Sequence, residues 1–202
     1  MAFNINEFRA NLPGGGARPN LFEVNIPVPA ALVGGFQTEA RKLTFLCKTA
    51  SIPGGTIEPV ELSYFGRIVK FAGQKTFEDW ETTVINDEDF AVRRFIEVWQ
   101  EKIMGNATNR STVVSPQDYS VDASVIQFGK SGDPIRQYVM RGAWPTTTAA
   151  IELDWSTAEP EEFSITWTFD WWESIDIDEP TFTFDASIKV PSFGTVGIGA
   201  SV

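Results

Sequence analysis

The sequence contains no histidine. That absence removes the Ser-His-Asp and Cys-His nucleophile schemes, the HExxH zinc motif and imidazole proton shuttling together. It contains one cysteine, Cys47, which excludes an internal disulfide and a metal site made of thiolates. Cys47 ends the apolar run 43–47 and reads as a buried thiol acting as a small hydrophobe. No apolar run approaches the roughly 20 residues that span a bilayer. Residues 1–20 have no apolar stretch behind a basic region, so a secretory signal is not expected, and synthesis in the cytosol is the default. Positive charge is scarce: 16 Lys and Arg stand against 27 Asp and Glu, a formal net charge of −11. Such a chain repels phosphate backbones, which argues against ordinary DNA or RNA binding. It does not argue against a surface that nucleic acid slides past without sticking.

What is present is aromatic. Seven Trp and 16 Phe lie in 202 residues that are 43% hydrophobic, enough for a real core in one domain of ordinary size. We expect that domain over residues 1–175, with residues 1–20 a flexible N-terminal segment and 176–202 an extended C-terminal one. Gly14, Gly15 and Gly16 between Pro13 and Pro19 mark the first as irregular. The second carries acids, then Gly and Ser, and is expected to extend or to dock on a neighbour.

Between these ends the pattern is mostly period-two. Phe22, Val24, Ile26 and Val28 alternate with polar residues and proline, as in an edge strand. Residues 42–50 and 77–85 read as strands, the latter dense in Thr, Val and Trp80. Residues 56–73 are extended in character, with a turn expected at Gly73-Gln74. Further strands are expected at 119–129 and 135–143, a Pro/Thr-rich connection at 144–150, and a short strand at 151–155. The clearest strand is 163–171, where Phe163, Ile165, Trp167, Phe169 and Trp171 alternate with Ser164, Thr166, Thr168 and Asp170. One segment changes period. Val92, Ile96, Trp99 and Ile103 fall four, three and four apart, with Phe95 beside them, which is one stripe of a helix over 87–104. Asn86 or Asp87 can cap its start, and Gly105-Asn106 stops it. There is no internal repeat. The fold class expected is mostly β, a mainly antiparallel barrel or sandwich of about seven strands with one packed α-helix.

Candidate chemistry is thin. The run Asn86-Asp87-Glu88-Asp89 could hold Ca²⁺ or Mg²⁺, but it lacks the staggered ligands and glycine of a calcium loop and opens straight into a helix. It reads as helix capping, and no metal or other cofactor is expected. Asp170, Glu173, Asp176 and Asp178 could pair for glycoside hydrolysis by proximity alone. Trp167, Trp171 and Trp172 could stack on sugars, as in a carbohydrate-binding sandwich. The alternation instead places Trp167 and Trp171 on the core face with Phe163 and Ile165, and Trp172 out of phase. Arg67, Lys70 and Lys75 gather in one strand–turn region, and Arg93 and Arg94 lie on the helix. These read as solvated faces, salt bridges, or contacts to acidic patches on identical neighbours.

An ordered set of short pieces adds a resemblance. Ser51-Ile52-Pro53-Gly54, Tyr64-Phe65-Gly66-Arg67, Lys70-Phe71-Ala72-Gly73, Phe77-Glu78-Asp79-Trp80, Asn86-Asp87-Glu88-Asp89-Phe90 and the stretch 93–99, then Gly142-Ala143-Trp144-Pro145 and the strand 163–173, resemble the core pattern of tail tube proteins of contractile-tailed bacteriophages. The resemblance implies a tail-tube-like fold, a β-barrel with one helix. It implies six copies in a ring whose sheets join around a lumen, rings stacked into a tube inside a sheath, and a bore that passes genomic DNA without specific binding. The implied partners are further copies of the chain and the sheath, tape measure, baseplate and tail terminator proteins, without membrane anchoring. The implied place is the virion tail, assembled in the host cytoplasm, and the implied role is structural, not enzymatic. Ile57, Tyr64, Phe65, Arg67, Lys70, Asp79 and Trp80 are the residues expected at assembly contacts. A tube of a DNA-free contractile injection system, and a carbohydrate-binding β-sandwich, remain the alternatives at this point.

Overall fold

The computed structural model describes residues 4–12, 15–32 and 34–176; residues 177–202, Asp178 among them, lie outside that range. Nine strands and four α-helices make up the described residues: α1 Ile5–Ala10, β1 Phe22–Asn25, α2 Gln37–Leu46, β2 Cys47–Ala50, β3 Thr56–Tyr64, β4 Arg67–Thr76, β5 Trp80–Ile85, α3 Ala91–Ile103, α4 Pro116–Tyr119, β6 Val121–Phe128, β7 Pro134–Thr148, β8 Glu162–Thr168 and β9 Trp171–Asp176. Every strand pairing is antiparallel. The expected mainly antiparallel β class is therefore what the chain adopts.

The long strand β7 organises the sheet. Its first half pairs with β6 and β9, and its second half with β8. One sheet region runs β1-β6-β7-β9 and the other β7-β8-β5-β2. The strand turns between them at Gly142, where φ is +69°, a conformation open to glycine at little cost. Pro145, expected in a connection, lies inside β7. The register shifts between Pro145 and Thr147, and such an irregularity is where a sheet tolerates a missing N–H.

The core lies between this sheet and α3. Val92, Phe95, Ile96 and Trp99 of the helix are all fully buried, as the spacing requires. They meet the inward residues of the strands: Trp80 and Val84 of β5, and Phe163, Ile165 and Trp167 of β8. Trp99 packs edge-on against Trp167, with ring centroids 5.6 Å apart, and Trp80 lies 6.1 Å from Trp167. Each buried indole N–H has an acceptor: Trp99 donates to the Tyr119 carbonyl at 2.8 Å, Trp80 to that of Ser51 at 2.8 Å and Trp167 to Thr82 Oγ1 at 2.9 Å. Without those acceptors each indole would carry a desolvation penalty of about 1–3 kcal/mol.

Several local expectations need correction. Residues 42–46 belong to helix α2 and not to a strand. Ala40 and Leu43, three apart, are its buried positions, while Phe45 stands outside; read from Lys42 onward, that spacing looks like alternation. Helix α3 starts at Ala91, since 87–90 form a turn in which Phe90 N–H donates to the Asp87 carbonyl at 2.9 Å. The Asp87 carboxylate then accepts the Ala91 N–H at 2.9 Å. Residues 151–155 are not a strand. The Asp154 side chain accepts the Ser156 N–H at 3.0 Å, a local turn that competes with a ladder. The expected strand 163–171 ends at Thr168. Asp170 breaks it, its N–H donating to the Arg141 carbonyl at 3.0 Å, and the phase resets. Phe169 is buried, Trp171 becomes exposed, and Trp172 turns in against Tyr138 and Phe77. Cys47 is half-buried, and burial pushes its thiol pKa up to about 12. The N-terminal segment expected to be irregular contains α1, capped by the Asn4 side chain and exposed throughout.

Candidate assembly surface

Strands β3 and β4 form a separate two-stranded hairpin. The turn is not at Gly73-Gln74, as the sequence suggested, but at Phe65-Gly66. Both residues have positive φ, 45° and 78°, the backbone of a two-residue hairpin loop whose twist matches its strands. Glycine suits that geometry; phenylalanine does not, and a bulky residue there costs about 1–2 kcal/mol. Phe65 is nevertheless 92% exposed, its ring edge-on to that of Tyr64 with centroids 4.6 Å apart. The strain is thus carried at an exposed aromatic.

The rest of the hairpin shows the same character. Apart from Gly73, every residue of both strands is exposed. Cross-strand register pairs Val60 with Phe71 and Leu62 with Val69 on one face, which Tyr64 extends toward the tip. Strand alternation puts Ile57, Pro59, Ile68 and Ala72 on the other, beside the Glu61–Lys70 ion pair at 3.0 Å. A soluble hairpin ordinarily keeps one face polar. Among the described residues, apolar side chains stand exposed on both faces of this hairpin.

Its root is anchored. Trp172 Nε1 donates to the Gly54 carbonyl at 2.9 Å, and Trp80 to Ser51 at 2.8 Å, just before β3. Near the end of β4, the Lys75 ammonium sits over the rings of Phe77 and Trp172, 5.0 and 5.4 Å from their centroids.

Five of the seven residues expected at assembly contacts, Ile57, Tyr64, Phe65, Arg67 and Lys70, lie exposed on this hairpin. Arg67 has no partner among the described residues, whereas Lys70 is paired. Asp79 is exposed just before β5 and accepts the Thr168 hydroxyl at 2.8 Å. Trp80 does not belong with them. It is fully buried, because the alternation of β5 turns it inward with Thr82 and Val84. Val60, Leu62, Ile68, Val69 and Phe71, within the stretches 56–65 and 66–73 expected to serve assembly contacts, are exposed on the same hairpin.

The residues weighed for chemistry are otherwise engaged. Asp87 pairs with Lys42 at 2.8 Å. Desolvation works against its charge, but the hydrogen bonds from Lys42 and from the Ala91 N–H prevail and hold the carboxyl below its ordinary range. Glu173 and Asp122 both receive Arg141, Asp122 at 2.5 Å. Trp167 is buried and cannot stack on a sugar. Among the described residues, no three Cys, Asp or Glu side chains are grouped as metal ligands would be.

Known proteins share this architecture. The family model for phage tail tube protein matches residues 17–174. Tail tube protein gp19 of Enterobacteria phage T4 is 34% identical over 167 residues, which cover 82% of this chain and 96% of that protein. The tail tube protein of Serratia phage KSP90 is 29% identical over 157 residues, 77% and 87% of the two chains. Among solved structures, a chain of the six-fold symmetrised anti-feeding prophage baseplate superposes with a TM-score of 0.56 at 12% identity, covering 81% of this chain and 98% of that one. A chain of the extended sheath-tube complex of an extracellular contractile injection system gives 0.51 at 13% identity, covering 87% and 100%. At such identities these two attest the fold, and the phage proteins attest the family. The chain, a two-region antiparallel sheet with an exposed apolar hairpin, belongs to the phage tail tube protein family.

Proposed function

We propose that copies of this tail tube subunit close into hexameric rings, that the rings stack, and that the bore conducts DNA into the host without binding it. The observation that carries the proposal is the hairpin β3–β4, whose apolar side chains on both faces stand exposed among the described residues. The sheet adds a route to ring closure. The region β1-β6-β7-β9 ends in two strands with open outer edges among the described residues, β1 and β9. Edges of this kind pair with another chain, and β9 of one copy meeting β1 of the next makes a head-to-tail contact that closes a ring when the rotation is right. The face of that sheet turned away from the core carries Glu23, Asp122 and Glu173 against Arg141. A bore lined by it is net negative, and so is the subunit at −11; such a wall repels a phosphate backbone.

Partners follow from the assemblies in which the fold occurs. A sheath around the tube, a baseplate at one end and a terminator at the other are the expected neighbours, with a tape measure protein in the bore. The chain is placed in the virion tail, assembled in the host cytoplasm, and has no enzymatic role. Its phage relatives favour this reading over a DNA-free injection tube.

Negative-stain microscopy of the purified full chain tests the proposal. Rings or hollow rods are expected. A monomer that persists at high concentration overturns it.

A further inference from the structure

A groove of about 510 Å³ opens at one end of the sheet region β1-β6-β7-β9, between residues 16–18, which lead toward β1, and the turn from β6 to β7. Two cations meet there, in a chain whose net charge is −11. Lys130 Nζ and Arg18 Nη2 lie 3.5 and 4.0 Å from the point that a Cβ on Gly15 would occupy. Arg18 makes no ion pair among the described residues. The carboxylate of the turn, Asp133, accepts the Ser131 hydroxyl at 2.6 Å. Beside the cations the lining is apolar, from Ala17, Phe128 and Ile135, and Ile135 is 47% exposed.

Strand β9 runs toward this groove. It is antiparallel to β7, and its last pair sets Asp176 opposite Arg136. The same register carried one residue further sets Ile177 opposite Ile135. Strand alternation puts both on the face of Ile175, itself 37% exposed, and apolar residues set opposite each other are stabilising pairs. Asp178 and Glu179 follow. Pro180, which cannot donate to a ladder, comes next, and then Phe182 and Phe184. Six extended residues, 179–184, reach roughly 20 Å, while the three gaps between four strands span roughly 14 Å. The chain is therefore long enough to cross the end of the sheet. The family match stops at residue 174, so this stretch is an addition to the shared fold.

We propose that residues 177–184 seat on this groove in their own copy. Ile177 lies beside Ile135, Asp178 and Glu179 face Arg18 and Lys130, and Phe182 and Phe184 cover Phe128. Place of exit and charge both select this occupant: the segment leaves β9 one residue from its seat, and it brings carboxylates to converging cations. Tethered so closely, it is at a far higher effective concentration than the same segment of another copy. The seat is at the end of the sheet and not on the outer edges of β1 and β9 invoked for ring closure, so the inference does not depend on that reading. Once seated, the segment ties the chain before β1 to the β6–β7 turn.

Crosslinking of the full-length chain tests the seat. A chain carrying C47A, A17C and T183C, treated at low concentration with a short bismaleimide, is expected to be bridged within single chains, with a 17–183 link in its peptide map. Links between chains only, or folded protein without a 17–183 link, overturn the proposal. Hydrogen exchange gives a second reading that needs no cysteines. In a full-length chain carrying Ile177→Ser, Phe182→Ser and Phe184→Ser, the amides of 16–18 and 129–133 should exchange at least about tenfold faster, while those of α3 keep the parent rate. Unchanged exchange at 129–133, or an increase shared equally by α3, overturns it. If the cysteine chain does not fold, the exchange result decides alone.

Discussion

Gly73 and Glu58 lie closer than any side chain permits: a Cβ on Gly73 would sit 2.4 Å from the Glu58 carbonyl oxygen and 2.9 Å from Val60 Cγ2. The contact falls where the hairpin register shifts, between Ile57 and Pro59. The glycine is thus a packing requirement of the bulge, not a turn. Gly73→Val is expected to pry the hairpin strands apart while sparing the core. Thermal unfolding by circular dichroism should change by no more than a few degrees, and the yield of sedimenting tubes should collapse. An unchanged tube yield would show that hairpin geometry is irrelevant to assembly.

Trp80 and Phe65 separate folding from assembly. Trp80 is buried against Trp167 and hydrogen-bonded to Ser51, so Trp80→Ala is expected to cost about 3–5 kcal/mol of stability. Phe65→Ala removes an exposed, strained side chain. It should leave stability within about 0.5 kcal/mol, since alanine keeps the Cβ and with it the backbone strain, yet impair tubes. Denaturant unfolding of both variants beside a pelleting assay checks the pair. Equal stability losses in the two would contradict the division drawn between core and surface.

The Lys42–Asp87 pair sets a pH dependence. The Asp87 carboxyl is held below its ordinary range, so the folded state binds that proton less readily than the unfolded chain. The resulting stabilisation is present in full above the unfolded carboxyl pKa of about 3.9 and is lost as pH falls through the lower folded value. Asp87→Asn should cost about 1 kcal/mol near pH 7, mainly at the start of α3. The gap between variant and parent should close toward pH 3. A gap that stays constant from pH 7 to 3 would exclude this role.

Cys47 should be a poor nucleophile. With its thiol pushed up to about 12, almost none is thiolate at pH 8. A thiol-specific disulfide reagent should label the native chain slowly at that pH and stoichiometrically on unfolding. Rapid labelling of folded protein would mean that the site opens readily.

How legible this was in the sequence depended on range. The α3 stripe needed only the positions of Val92, Ile96 and Trp99, and it was right except at the start, where the turn closed by Asp87 delays the helix by four residues. Inward alternation from Phe163 to Trp167 was equally plain. What failed involved distant partners. Nothing near Asp170 announces that its N–H bonds to Arg141, 29 residues earlier, and resets the phase of Trp171 and Trp172. Pro145 looked like a breaker because its tolerance depends on a register shift against β8. On the hairpin, local pattern gathered residues that are exposed but swept in Trp80, whose burial is decided by α3 and β8. It read residues 151–155 as a strand where the Asp154 side chain closes an Asx-type turn.

The indole hydrogen bonds before the hairpin have a mechanical consequence. Trp80 and Trp172 grip the carbonyls of Ser51 and Gly54, and Trp80 is wedged among the aromatic rings of the core. A force on the hairpin tip therefore meets no swivel at the root. It passes through two donor–acceptor clamps, one of them made by the buried Trp80, so displacement of the hairpin is coupled to the aromatic core.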